Sequence, residues 1–341
     1  MKRLSTIFLI AMSIFLAPLA QAQVYWDGTI DKSWTGTGTE SDPYLITTAE
    51  ELAGLAARVN DTVNREDFAG KYFKLTNDLY LTDFTEPDTT KWHEWEPIGK
   101  WIDNQESAYV HHFDTCFFRG HFDGANHTIH NLYIGTVGKI SMDDLDDPTA
   151  EDVIDLSGSN VGFFGLVDQA IIENLSLQNA GVSGAFYHVG GMVAIATNST
   201  LHNCHIRNSN VIGGNSAYVG SLVAYLQSSS VENCSAENIF VKGTYPGGGI
   251  GRIDSTSIVR NSYATGDIYV NYRNAANHYY GGSGGGFASR NAGLIENCYA
   301  DVSVDVAGGG VDGAINGGFV GVAAVGGIIR NCYATGDVAV K

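Results

Sequence analysis

Residue types that could do chemistry are scattered through this chain, and their spacing decides which chemistry is open to it. The acids Glu173, Glu232 and Glu296 recur at one repeat position. Glycoside hydrolysis needs two carboxylates roughly 5 to 10 Å apart, and a lyase needs a base beside a cation. The same position is filled elsewhere by Arg260 and Arg330, and a column of alternating sign reads more simply as a solvated face with cross-strand ion pairs. No catalytic residue is assigned on this basis. The string His93-Glu94-Trp95-Glu96-Pro97 lacks the second histidine of H-E-x-x-H and ends in a helix breaker, so it cannot be that zinc site. His111, His112, His121, His127 and His130 crowd together, but without a fixed three- or four-ligand spacing structural hydrogen bonding is the better reading.

Two further clusters are candidate binding sites. Asp143, Asp144, Asp146 and Asp147, followed by Glu151, Asp152 and Asp155, gather oxygens of the kind calcium takes, although no EF-hand spacing is present and a solvated insertion is the competing reading. "GGGVDG" from Gly308 resembles a calcium-binding nonapeptide but occurs once, where such sites need tandem copies. Tyr272, His278, Tyr279 and Tyr280 lie in one loop, where flat rings suit glycan or protein recognition, against the plainer reading of a tolerated insertion. Cys204, Cys234, Cys298 and Cys332 occupy one repeat position. In stacked coils their Cβ atoms would sit about 4.8 Å apart, too far for an unstrained bridge, which predicts buried free thiols acting as small hydrophobes.

What must position these residues is an internal repeat. Asn131, Asn174, Asn203, Asn233, Asn261, Asn297 and Asn331 anchor seven copies, with a weaker one at Asn77. Two places before each stands an aliphatic residue, from Ile129 and Ile172 to Ile329; the place before is polar, from His130 and Glu173 to Arg330; and small or apolar residues fill the first and third places after. Buried positions are thus three apart across the asparagine and two apart elsewhere. A straight strand has a period of two, so the chain bends at the asparagine, the side-chain-bearing residue that best tolerates the left-handed region. Equivalent amides can then ladder between coils. A glycine-led apolar element such as "VGSLVAY" precedes each anchor and a further strand follows it. The pattern predicts an all-β fold, a parallel β-solenoid wound to the right, with three short strands per coil and about eight coils in a rod near 40 Å long.

The ends carry their own signals. Lys2 and Arg3, the apolar run Ile7 to Ala17 and Ala20-Gln21-Ala22 make residues 1–22 a secretory signal, which places the mature protein outside the cell or on its surface. Removing two basic residues makes a formal charge of −18 more negative still, excluding nucleic acid and anionic membrane as partners by their need for a basic face. No later stretch is long and apolar enough to span a bilayer. Residues 23–60 form a cap segment whose helix starts at Thr48, with Glu51 closing a capping box and Leu52, Leu55, Ala56 and Val59 on its apolar stripe. The solenoid then runs over residues 61–341. No cover is legible after "CYATGDVAVK", which predicts end-to-end self-association or a further C-terminal domain.

From about Trp34 to Lys341 the sequence resembles the GLUG-type repeat proteins exported by Bacteroidetes and some Gram-positive bacteria. The resemblance rests on "GTGTESDPYLITTAEELAGLA", "WEPIG", "FRGHFDGANHTIHNL" and rungs of the form I-x-N-C-Y-A-T-G-D-V. It implies a secreted or surface β-solenoid, often carried in larger adhesin-like proteins and also found beside the catalytic domain of immunoglobulin A metalloproteases. "GGMVA", "GFVGV" and "GGGIG" depart from the family's name motif. The expectation is a non-catalytic binding, adhesion or spacer module, its specificity carried by loops 82–117, 135–160 and 271–284 and its partner a glycan or a host or bacterial surface protein. The alternatives are a polysaccharide-acting lyase or hydrolase on the same scaffold and a passive module of a larger secreted protein.

Overall fold

The computed structural model describes residues 23–107, 110–135, 159–184, 186–214, 217–271, 282–306 and 315–340. Its strands stack coil upon coil into four parallel sheets. One has nine strands, from Tyr44–Ile46 and Tyr72–Leu75 through Thr200–His202 to Ile328–Arg330; a second, of eleven strands, contains His205–Gly213 and Tyr263–Val270. Two six-stranded sheets contain Val223–Gln227 and Tyr218–Gly220. The hairpin of Lys100–Ser107 and Val110–Cys116 is antiparallel.

A coil such as residues 200–227 therefore carries four strands, not the three expected. The glycine-led element is two strands joined by a tight hinge, because at the hinge neighbouring backbones pass too close for side chains. A Cβ on Gly248 would lie 2.2 Å from the Gly286 carbonyl oxygen, and one on Gly286 would lie 2.1 Å from that of Gly318. Only glycine fits, which accounts for part of the 42 in the sequence.

The remaining bends are set by residues at positive φ, five apart. Gln169, Asn174 and Asn179 have φ of 54°, 51° and 56°; Asn198, Asn203 and Asn208 have 48°, 52° and 50°; Ser228, Asn233 and Asn238 have 46°, 56° and 50°. Each divides off a short strand, and the inward residues between them, Ala170, Ile172, Leu175, Leu177 and Ala180, alternate steps of two and three and are all buried. Register follows: Ile172 pairs Leu201, then Val231, Val259, Ile295 and Ile329 in turn.

Asn131 belongs elsewhere. Ile129 pairs Leu177, and the Asn131 side chain accepts a bond from Asn179 Nδ2 at 3.4 Å, so Asn131 heads a second asparagine column with Asn179, Asn208 and Asn238. The coil level with Asn174 uses Phe122 as its buried residue and Gly124 at the corner. In the first column Asn203 donates to Asn174 Oδ1 at 2.8 Å, and Asn331 to Asn297 and Asn297 to Asn261 at 3.2 Å each. The run is interrupted at Asn233, whose amide meets His202 Nε2 at 3.1 Å while His205 Nε2 engages Asn203 Oδ1. The second column stops where Gly266, at φ 131°, faces Ile239 and shortens the coil.

The residue after each bend is buried, and its N–H points to the next coil. Ser199 N donates to Ser229 Oγ at 2.9 Å, Ala180 N to Ser209 Oγ at 2.9 Å, Cys204 N to Cys234 Sγ at 3.4 Å and Cys298 N to Cys332 Sγ at 3.4 Å. The five cysteines are free. Cys234 and Cys332 thus do more than fill space, since a buried N–H without an acceptor is costly. Burial pushes the Cys298 thiol up to about 12.

The helix Ala49–Val59 joins the first two strands of the nine-stranded sheet. Thr48 and Glu51 close the capping box, and Leu52, Leu55, Ala56 and Val59 are buried. At the opposite end Ile329, in the column whose other members are 0–1% exposed, is 41% exposed.

Two outcomes are expected. Replacing Asn297 by alanine costs roughly 1–2 kcal/mol in urea unfolding, because alanine pays the left-handed backbone cost, whereas Asn297→Gly, free of that cost, loses less; equal losses would show that φ is not what the residue supplies. A bulky thiol reagent labels Cys332 in the native protein and the other four cysteines only after unfolding; rapid native labelling of Cys204 would contradict the stacking.

Candidate functional site

The sequence-nominated residues fall in several places. Asp143, Asp144, Asp146 and Asp147, the "GGGVDG" string, and Tyr272, His278, Tyr279 and Tyr280 lie outside the described residues, as does the signal segment. Glu173 pairs with His121 at 2.8 Å, and Glu296 lies between Arg260 and Arg330 at 3.0 and 3.1 Å. His127 is bonded to Asp78 and His130 is stacked on Tyr80 at 4.4 Å, so the described histidines of that group are engaged separately. Glu94 accepts the Gly135 N–H, and Trp95 beside it is buried.

The described chain ends locate the insertions. Each coil passes from the eleven-stranded sheet to the six-stranded sheet containing Tyr218–Gly220 at one corner, between residues 135 and 159, 184 and 186, 213 and 218, 243 and 245, 271 and 282, and 306 and 315. Asn271 N bonds to the Gly243 carbonyl and Ser283 N to the Thr244 carbonyl, so both ends of loop 272–281 are tied directly above the preceding corner. Two of the loops marked in the sequence, 135–160 and 271–284, leave from this corner. The third, 82–117, holds the hairpin whose Trp101 meets Tyr187 edge-on at 6.1 Å.

Beside that corner lies a face of rings and cations. His188, Tyr218 and Tyr245 are in register on successive coils, with centroids 6.2 and 5.0 Å apart and near-parallel planes. On the adjoining six-stranded sheet Tyr225, Arg252 and Arg290 are in register. The Arg252 guanidinium lies 4.7 Å from the Tyr225 centroid and 5.5 Å from that of Tyr218, the geometry of a cation–π clamp. Tyr187, 57% exposed, has φ of 65° inside a register irregularity of its strand. For a bulky residue that conformation is strained, and strain of this kind gathers at functional sites. His188 Nδ1 lies 2.8 Å from Asn160 Oδ1, which makes it the donor. Burial, with Arg252 adding to it, pushes the imidazole down to about 4, so the ring is neutral at pH 7.

A second polar cluster sits on the eleven-stranded sheet. Glu237 accepts from Tyr263 at 2.7 Å and Ser235 at 2.8 Å and pairs with Arg207 at 3.2 Å, while Tyr263 stacks on Tyr299 and Tyr299 on Tyr333. Its electrostatics run against acid–base work. Burial acts to raise Glu237, but its hydrogen bonds hold the carboxyl below the usual range, and burial together with Glu237 raises the Tyr263 phenol. A general base works near the ambient pH. A cleft of about 570 Å³ near the helix, lined by Tyr44, Arg65, Asp67, Phe68, Lys71 and Arg119, has the same character. Arg119 bridges Asp67 and Asp168 at 2.8 Å each, and although burial acts to raise Asp67, bonds from the Ala69 N–H and Arg119 hold it low.

The aromatic face was missed in the sequence because its residues are not repeated rung by rung. Tyr225 is followed in register by Arg252, Arg290 and Val322. The available signal was the tyrosines at either side of the glycine hinge, in "AYVGSLVAY" and "TYPGG".

Fold and repeat together define a parallel β-solenoid repeat module. The profile of the GLUG motif matches residues 215–240 and 317–339, and both matches span a glycine hinge and an asparagine corner. The chain thus carries two copies of the GLUG motif, in keeping with the family resemblance read from its sequence. Halomucin of Haloquadratum walsbyi is 32% identical over 193 residues, 56% of this chain and 2% of its own length. A protein of Evansella cellulosilytica named as a Gly-rich membrane protein is 28% identical over 180 residues, 52% of this chain and 16% of its own. This chain thus spans a small part of either relative. A crystal structure from Bacteroides ovatus, named as an immunoglobulin A1 protease, aligns with a TM-score of 0.56 at 21% identity, over 89% of this chain and 79% of that one. That likeness is one of fold. Among the described residues no helix is long and apolar enough to cross a membrane.

His188 gives the face a pH signature. Its folded pKa lies below the ordinary value of 6.5, so the stability it contributes is complete above pH 6.5 and is lost as pH falls toward 4, by about 2 kcal/mol given partial exposure. His188→Phe, which cannot take a proton, is expected to flatten that decline in chemical unfolding between pH 6.5 and 4. An unchanged slope would mean that the histidine is not held neutral.

Proposed function

We propose that this chain is an exported binding module of the bacterial surface that holds carbohydrate on the aromatic face formed by Tyr187, His188, Tyr218, Tyr225 and Arg252. The observation that carries the reading is the coincidence of two independent features at one corner. Most of the variation in coil length leaves the solenoid there, and in stacked repeats such insertions gather on the binding face. The ring stack lies beside it, half-buried and fixed by register. Rings held in place by a scaffold cover ligand area at little entropic cost. Asn271 and Ser283, on either side of residues 272–281, are tied to the same corner, and Tyr272, His278, Tyr279 and Tyr280 are proposed as further ligand contacts.

Export rests on the amino-terminal signal pattern, and an extracellular role is in keeping with the relatives named as a halomucin and a membrane protein. The rival reading, a lyase or hydrolase, is less well supported because Glu237 and Asp67, two carboxylates beside cations, are each held below the usual range by the hydrogen bonds they accept.

The test is a glycan array read with the wild-type protein and with Tyr225→Ala, run beside depolymerisation assays on the polysaccharides that bind. Binding to a defined set of glycans, weakened at least about tenfold by the single truncation with an unchanged unfolding midpoint, is the expected result. Undiminished binding by Tyr225→Ala would remove the face from the reading, and cleavage of a bound polysaccharide would favour the enzyme.

A further inference from the structure

The columns of this solenoid pair opposite charges between coils: Arg207 with Glu237, and Glu296 between Arg260 and Arg330. One column does the reverse. Arg252 and Arg290 are direct register partners in adjacent parallel strands, about 4.8 Å apart along the rod. Like charges placed directly opposite one another are destabilising, and among the described residues neither arginine forms an ion pair. Arg252 is held by the Tyr225 and Tyr218 rings, while Arg290 is exposed. The carboxylate nearest in sequence, Asp254, is occupied by the Ser228 and Thr256 N–H groups and the Ser257 hydroxyl. His188, whose low pKa keeps it uncharged at pH 7, adds no charge to the face. A chain with 37 acids against 19 lysines and arginines has carboxylates in excess, yet among the described residues none is placed against this pair.

From that placement we infer that the aromatic face takes an anionic glycan, the sugar packing against the outer edges of the stacked rings and its carboxylate or sulfate group held by the paired guanidinium groups of Arg252 and Arg290. Guanidinium forks match planar oxyanions with two parallel hydrogen bonds each, and the bound anion relieves the repulsion between the two arginines. This assignment rests on the binding reading given above and specifies its ligand class.

Three soluble probes separate the outcomes by calorimetric titration: an oligogalacturonate, the same oligomer with its carboxyls methyl-esterified, and a sulfated galactan oligomer. The expected result is binding of the free acid, or of the sulfated oligomer, at least about tenfold tighter than the ester. Arg290→Gln, at an exposed position, should abolish that preference by weakening the binding of the free acid at least about tenfold. Equal binding of acid and ester, still lost in Tyr225→Ala, would overturn the anion assignment while leaving the carbohydrate face standing. Failure of both charged oligomers to bind, or full preference retained in Arg290→Gln, would also overturn it. Preference for the sulfated oligomer alone would assign sulfate as the anion.

Discussion

The structure depends on one backbone constraint, a residue in the left-handed region at each asparagine corner, repeated at every fifth position in the coils that contain Asn174, Asn203 and Asn233. That conformation is costly for most side chains and cheaper for asparagine, and it turns the chain without ending the ladder of parallel hydrogen bonds. It converts a period of two into alternating steps of two and three. Ile172, Leu175 and Leu177 can then all face inward. Because the bends recur at fixed intervals, equivalent residues of successive coils lie over one another, and identical side chains become columns.

Columns explain both what is buried and what is displayed. Inside, a serine or cysteine after a bend accepts the N–H of its neighbour in the preceding coil, as at Ser229, Cys234 and Cys332. Outside, the same stacking places tyrosine on tyrosine and arginine on arginine wherever a coil keeps its neighbour's residue. The outward positions are free of the packing demand, so they are where one coil differs from the next. The motif matches at 215–240 and 317–339 contain Tyr225 in the first and Val322 at the register-equivalent position in the second.

Much of this was legible in the sequence, and the failures have physical reasons. The asparagine anchors Asn174 to Asn331 led to the solenoid, and Thr48 with Glu51 to the capped helix. Asn131 was aligned to the wrong corner because a coil presents similar corners five residues apart, and the coil beneath Asn174 carries Gly124 where asparagine was sought. The five-residue pairing of Asn174 with Asn179, Asn203 with Asn208 and Asn233 with Asn238 could have shown this. Glycine hinges hid the fourth strand, since an apolar run with internal glycines looks continuous in one dimension. The Arg252–Arg290 pair was invisible for a different reason: its members are 38 residues apart, and net charge averages over a whole chain. An acidic total argued for no basic face, whereas register concentrates two cations locally.

The claim underneath all of this is that equivalent positions of successive coils are stacked in a straight column. Spin labels at residues 173 and 330, introduced as Glu173→Cys and Arg330→Cys in a Cys332→Ser background, are five coil steps apart in the register that links Ile172 to Ile329. Electron–electron double resonance should then give a single peak corresponding to a backbone separation of about 24 Å, five strand spacings. A broad distribution without that peak, or one centred well beyond it, would contradict the column and remove the basis for the face built upon it.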